Sequence, residues 1–270
     1  VSDLAPPGKR GESIGIALAA TSIGSISGPA LGGITADLLG FEAPFLIVCG
    51  VSAVVAVAVA VVFPREERRA EARPPAWQTV VRAMRTGTGG AAIAIALAGP
   101  AVLGIVELVA PLDLDARLGL SSAAIGLLFA LSIAVDAPLS PLGGRWGDRR
   151  GRLGPAMTGA VTTGVSVALL AALASTAGAA LALALFGAGY SLAFAAAVPW
   201  LDEAFGELQR GLAYGVLNVV YAAGYAIGPL VAGVLLEVGS ADLAYWLTAA
   251  ACGLGAVVLA SASRTLAPSS

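Results

Sequence analysis

Polar residues divide this chain into long apolar blocks separated by short charged ones. Eight blocks, approximately 14–36, 43–63, 91–112, 122–143, 155–174, 178–200, 211–236 and 242–262, have about the 20 residues that a helix needs to cross a hydrocarbon core of roughly 30 Å. Strands of a membrane barrel would run for about 10 residues with alternating polarity. Backbone polar groups find no partner in lipid, so these blocks predict eight transmembrane helices and an all-α integral membrane protein. Composition agrees: 58% of the 270 residues are hydrophobic, 12% are charged, and the mean hydropathy is +0.89, outside the balance of soluble domains.

The charged blocks set an orientation. With eight spans alternating, Lys9, Arg10, Arg65, Arg68, Arg69, Arg73, Arg82, Arg85, Arg145, Arg149, Arg150, Arg152, Arg210 and Arg264 fall on one side, and only Arg117 falls on the other. Fourteen of fifteen basic residues therefore mark the first side as cytoplasmic. The opposite loops carry Asp37, Glu42, Asp113, Asp115, Glu237 and Asp242. The long polar interruption "PREERRAEARPPAWQTVVRAMRTGTGG" reads as a cytoplasmic linker. The expected organisation is two helices over 1–64, a central loop over 65–90, six helices over 91–263 and a cytoplasmic tail over 264–270.

What the chain lacks narrows its chemistry. There is no histidine and no phosphate-cradling GxxxxGK loop, so neither a histidine base nor a built-in ATPase is expected. Any proton handled inside the membrane must use a carboxylate. Cys49 and Cys252 lie in apolar spans without metal-ligand spacing and read as packing residues. No metal, organic cofactor or nucleic-acid partner is expected.

An internal repeat links the two ends of the chain. At an offset of 200, Arg10, Gly11, Gly15, Gly24, Gly28, Pro29 and Gly33 match Arg210, Gly211, Gly215, Gly224, Gly228, Pro229 and Gly233. The first two spans are thus equivalents of the last two. If the last six form a complete unit, the first two end another unit whose first four helices are absent; the initial Val1 fits either a fragment or an unusual start codon. In a helix, Gly24, Gly28 and Gly32 share one face, while Gly15 and Gly33 lie on roughly the opposite side. Lipid gives no hydrophobic reward for helix association, so faces stripped of side chains serve close packing. Pro29 should bend its helix near the Ser25 carbonyl. Packing alone would account for these glycines.

The spacing of Gly15, Gly24, Gly28, Pro29, Gly32 and Gly33 also resembles the antiporter motif, motif C, in the fifth helix of drug:proton antiporters of the major facilitator superfamily. The copy at Gly215, Gly224, Gly228, Pro229 and Gly233 departs once, at Ala232, and falls where the eleventh helix would be. "GRWGDRRGR" resembles the superfamily's loop signature, motif A, through Gly144, Asp148, Arg149, Gly151 and Arg152, in the turn between the eighth and ninth helices. An ordinary basic cytoplasmic loop would need none of those glycines. As a hypothesis, Asp148 holds arginines or a neighbouring helix N-terminus in one state and releases them in another. The resemblance covers essentially the whole chain. It implies a major facilitator fold lacking its first four helices, with eight spans corresponding to family helices five to twelve.

Two carboxylates lie well inside spans, Glu107 and Asp136. Each costs on the order of 2.5–3.5 kcal/mol at a helix centre unless it faces a cavity or a partner. Asp136 lies twelve residues before Asp148, hence about 18 Å from the cytoplasmic turn. Glu107 lies nearer the outer end. Either Glu107 reaches the outer interface and Asp136 bonds to a neighbouring helix, or one or both take up protons in a cavity where a cationic cargo competes for the same carboxylate. Glu107 with Pro111 resembles the "EPALP" segment of vesicular amine transporters, and "GYAIGP" resembles their helix eleven. Asn218 and Phe194 stand where that branch has aspartates, which points away from monoamines. Tyr190, Phe194, Asn218, Tyr221 and Tyr225 are candidates to line an amphipathic cavity.

The expected function is non-enzymatic: secondary transport driven by a proton gradient, exporting small amphipathic or cationic compounds across a bacterial inner membrane. The expected partners are a small-molecule substrate, protons and the lipid bilayer. The alternatives are an uptake symporter or facilitator of the same fold, or a membrane fragment that transports nothing.

Overall fold

In the computed structural model, residues 24, 27–62, 76–205 and 209–261 are described. All of their regular structure is helical: α1 (27–39), α2 (Ala43–Val62), α3 (Ala76–Met84), α4 (Gly87–Leu118), α5 (Ser122–Arg150), α6 (Leu153–Ala172), α7 (Thr176–Phe205), α8 (Arg210–Val238) and α9 (Ala241–Ser261). Seven of them, α2 and α4 to α9, are long and apolar enough to cross a membrane. Most of the first expected span, including Gly15 and the Ser25 carbonyl, lies outside the described residues.

Three boundaries differ from the sequence expectation. Residues 76–84, assigned to the linker, form α3, and α4 already begins at Gly87, because Thr86 caps it by accepting from the Gly89 N–H at 3.0 Å. At its other end α4 absorbs Asp113, Asp115 and Arg117 and stops at Gly119, whose φ of 63° closes the helix. The motif expected as a loop is helical through Arg150, so only Gly151 and Arg152 form the turn. Gly151 has φ 87° and donates to the Gly147 carbonyl at 2.9 Å, a left-handed helix stop that a side chain would strain.

The chain divides into two compact units. The first comprises Val1–Ala70 with Leu120–Ala134, the second Glu71–Gly119 with Val135–Ser270. In the first, α1 meets the start of α5 backbone to backbone. A Cβ on Gly33 would lie 2.2 Å from the Ser122 carbonyl oxygen, and one on Gly126 would lie 2.3 Å from that of Pro29. A Cβ on Gly24, Gly28 or Gly32 would meet nothing within 4 Å among the described residues. Asp37, just beyond the first apolar block, accepts from the Ser122 and Ala123 N–H groups at 3.1 and 2.8 Å, and Ser121 Oγ accepts from Ala124 N–H at 3.3 Å. Three donors at the α5 N-terminus are thereby satisfied.

In the second unit α4 packs against α8 and α7, and α6 against α7 and α9. The contacts again run through glycine. Cβ atoms on Gly224 and Gly228 would lie 2.1 and 2.3 Å from the Leu97 and Ala101 carbonyl oxygens, and one on Gly104 would lie 2.8 Å from Pro229 Cδ. Gly159 and Gly189 let α6 and α7 touch in the same way. Ala83, Ala92, Trp200, Leu201, Phe205 and Ala213 form an apolar cluster where α3, α4, α7 and α8 come together. At the C-terminal end of α4, Arg117 pairs with Asp113 at 2.8 Å and donates to the Leu170 carbonyl at the end of α6, at 2.8 Å. Tyr245 of α9 donates to the same Asp113 at 3.4 Å. Arg117 thus ties α4 to α6, and Asp113 ties α4 to α9.

Gly228→Ala should destabilise the purified full chain by about 1–3 kcal/mol through overpacking, whereas Gly233→Ala, at a position with open space, should not. Thermal unfolding in detergent compares the two, and equal effects would contradict the packing. The Ala123 N–H foremost, together with hydroxyl and amide donors at Ser121 and Ser122, holds the Asp37 carboxyl below its usual 3.8 against an opposing desolvation. A carboxyl lowered in the folded state stabilises fully above its ordinary value and stops doing so as pH falls through the lowered one. Hydrogen exchange at Ser122 and Ala123, measured relative to Asp37→Asn, should therefore show protection at neutral pH that disappears in acid. Equal exchange in both proteins at neutral pH would contradict the cap.

Candidate functional site

The candidate site is built on one face each of α4, α7 and α8. On α7, Phe186, Tyr190 and Phe194 recur every four residues, and on α8 Tyr221 and Tyr225 do the same, so each helix presents its rings in a column. The columns meet in a continuous ladder. Ring centroids are 6.1 Å apart for Phe186 and Tyr190, 5.0 Å for Tyr190 and Phe194, 5.9 Å for Phe194 and Tyr221, and 6.4 Å for Tyr221 and Tyr225. The Phe194–Tyr221 step, from one helix to the other, is edge-to-face at 74°, a favoured geometry for aromatic quadrupoles. Gly99 of α4 makes room, since a Cβ there would come within 3.1 Å of the Phe194 ring.

Glu107 lies eight residues after Gly99, about 12 Å along the same helix. Its Oε2 accepts a hydrogen bond from the Tyr225 hydroxyl at the end of the ladder. Tyr190 and Tyr221 approach hydroxyl to hydroxyl at 3.5 Å. Asp136 lies on α5, where its backbone carbonyl accepts from Ser191 Oγ at 3.1 Å. Ser191 follows Tyr190 directly, next to the second ring of the ladder. A carboxylate among phenols and flat apolar faces can attract an organic cation, hold its charge and stack its rings. A carboxylate bonded to a phenol can also exchange that donor for a proton of its own.

The other sequence candidates are placed differently. Asn218 shares its helical face with Tyr221 and Tyr225 but donates to the Tyr214 carbonyl of its own helix at 2.9 Å. In the loop motif, the Asp148 side chain is 70% exposed and lies 4.0 Å from Arg152. Arg152 instead makes a close ion pair with Glu203 of α7. Arg149 is exposed, and Gly144 has open space around it. The two glycine motifs differ: Gly224 and Gly228 are covered by α4, while a Cβ on Gly24 or Gly28 would meet nothing within 4 Å among the described residues. Gly215 and Gly233 also face open space. Among the described residues, no three His, Cys, Asp or Glu side chains gather as a metal site.

Sequence reasoning missed Phe186, Ser191, Glu203 and the Asp37 cap. Phe186 was legible as the residue that extends the four-residue aromatic spacing. Ser191 and Glu203 carried no signal, because their partners stand 55 and 51 residues away along the chain.

No curated protein sequence matches the chain. The family described as the Major Facilitator Superfamily matches residues 1–112 and 87–269, so the matches span nearly all of it. With its apolar helices and glycine-mediated packing, this multi-pass membrane protein belongs to the Major Facilitator Superfamily of transporters.

Proposed function

We propose that this protein is a proton-coupled antiporter that exports small amphipathic or cationic compounds. The observation that carries the reading is the hydrogen bond between Glu107 and Tyr225 at the head of the aromatic ladder. A carboxylate within a membrane span needs compensation, and here a neutral phenol supplies it, not a basic residue. Proton and organic cation then compete for one acid. With the carboxylate protonated its charge cost disappears and the binding helices are free to change access; with cargo bound, the charge is neutralised by the cargo itself. Asp136, whose carbonyl accepts from Ser191 next to Tyr190, is the second proton-coupling candidate. Tyr190, Phe194, Tyr221 and Tyr225 supply the faces for flat or cationic groups. Asn218 lies further along the same face of α8. Asp148 acts as the cytoplasmic latch by exchanging partners with Arg152, for which Glu203 competes. The export direction rests on the resemblance of the glycine helix to the antiporter motif, and the setting on a bacterial inner membrane.

Full-length protein reconstituted in vesicles with a pH-sensitive dye inside tests the reading, using ethidium as the cation. An ethidium gradient should drive opposing proton movement, and Glu107→Gln should reduce that coupling at least about tenfold, the effect of losing roughly 1.4 kcal/mol or more. Asp136→Asn should lower it as well. Unchanged coupling in both variants would remove the assignment, and proton movement in the same direction as ethidium would favour symport. Tyr221→Leu should raise the half-saturating ethidium concentration about 3- to 30-fold, the equivalent of a cation–π contact of roughly 0.7–2 kcal/mol. No change in that concentration would take the ladder out of the binding site.

A further inference from the structure

We infer that α3 is an in-plane helix that binds an anionic phospholipid of the cytoplasmic leaflet, with the headgroup at Arg82 and Arg85 and an acyl chain in a groove between α3, α4 and α8. The inference does not depend on the antiport reading.

The helix is too short and too polar to span a membrane, with nine residues and one basic residue in its last turn. Its inner edge is fixed. Ala83 is 1% exposed and joins the cluster around Trp200 and Phe205, with Val80 packed beside it. Its end is fixed too, because Thr86 Oγ1 donates to the Ala83 carbonyl at 2.7 Å while capping α4. Gly89 leaves no room there, since a Cβ would lie 2.1 Å from that carbonyl oxygen. The helix is therefore docked at the cytoplasmic start of a membrane span, at the level of the lipid headgroups.

Its two uncovered sides have complementary chemistry. On one, Trp77, Gln78, Val81, Arg82 and Arg85 line a shallow groove of about 390 Å³. Trp77 is 66% exposed there. Residues 76–90 contain no acid, and among the described residues neither arginine makes an ion pair. Tryptophan beside arginines that no described acid pairs is what an anionic membrane surface favours. On the other side, Val80, Met84, Ile93, Gly215, Val216 and Val220 line an almost wholly apolar groove of about 420 Å³. Gly215 belongs to the repeated glycine motif, yet a Cβ there would meet nothing within 4 Å among the described residues, and the missing side chain leaves this groove open between α3, α4 and α8. A cationic groove and an apolar groove flanking one short helix call for an occupant with an anionic head and a hydrocarbon tail.

Bromine on an acyl chain quenches a nearby tryptophan. The Trp77 signal is the difference between the full chain and its Trp77→Phe variant, in phosphatidylcholine vesicles containing about one part in four of phosphatidylglycerol. Brominated phosphatidylglycerol should quench Trp77 several-fold more than brominated phosphatidylcholine at equal mole fraction. Arg82→Gln with Arg85→Gln should abolish the preference, Arg82→Lys with Arg85→Lys should keep most of it, and Gly215→Leu should reduce quenching by either lipid. Equal quenching by both headgroups, or a preference that survives loss of both arginines, would overturn the inference. Displacement of the preference by inorganic phosphate would assign the arginines to a soluble anion and overturn it. Shielding of Trp77 from both lipids that disappears on dilution into excess lipid would place a second copy of the chain on this face, which also overturns it.

Discussion

In hydrocarbon, a helix gains nothing from hiding an apolar face, so contact between helices depends on how closely their backbones can approach. This constraint shapes the protein. Gly224 and Gly228 bring α8 onto the Leu97 and Ala101 carbonyls, Gly104 receives Pro229, and Gly159 with Gly189 lets α6 lie on α7. In the other unit, Gly33 and Gly126 do the same for α1 and α5. Contacts made by glycine leave large and polar side chains free for other work. Five of the aromatic rings inside the spans form the ladder of α7 and α8, and Glu107 of α4 bonds to its last tyrosine.

Polar groups within or near the spans are compensated locally. Asp37 is held by the amides of α5, Arg117 by Asp113 and the last carbonyls of α6, and Glu107 by a phenol. The first two arrangements close a helix end, one through backbone amides and the other through an ion pair. Glu107 differs, because its partner is a tyrosine side chain at the end of a run of aromatic faces. That difference is why the proposed exchange of partners is assigned to Glu107.

Much of this was legible in the residue pattern. Apolar length located the spans from α2 onward, and the glycine repeat marked faces bare enough for close approach, of which those of Gly33 and of Gly224 with Gly228 are used. A pattern shows which face of a helix is bare, but not what covers it. Gly24 and Gly224 have the same spacing around them, and among the described residues Gly224 meets a neighbour while Gly24 does not. Helix ends were less legible, because charged residues such as Asp113, Asp148 and Arg150 read as loop while continuing a helix past the membrane boundary. The α3 helix was hidden for a related reason: nine residues with mixed polarity carry too little periodic signal. Contacts such as Asp37 with Ala123 depend on chain segments 86 residues apart, which no local pattern reports.

The central claim is that Glu107 is open to both proton and cargo. Carbodiimide labelling of the full-length protein, read by peptide mass spectrometry, tests it most directly, because the reagent reacts with a protonated carboxyl that it can reach. Glu107 should be modified in the absence of cargo and protected, in a concentration-dependent way, by an organic cation such as ethidium. Modification of Glu107 to the same extent at every ethidium concentration would contradict a shared site.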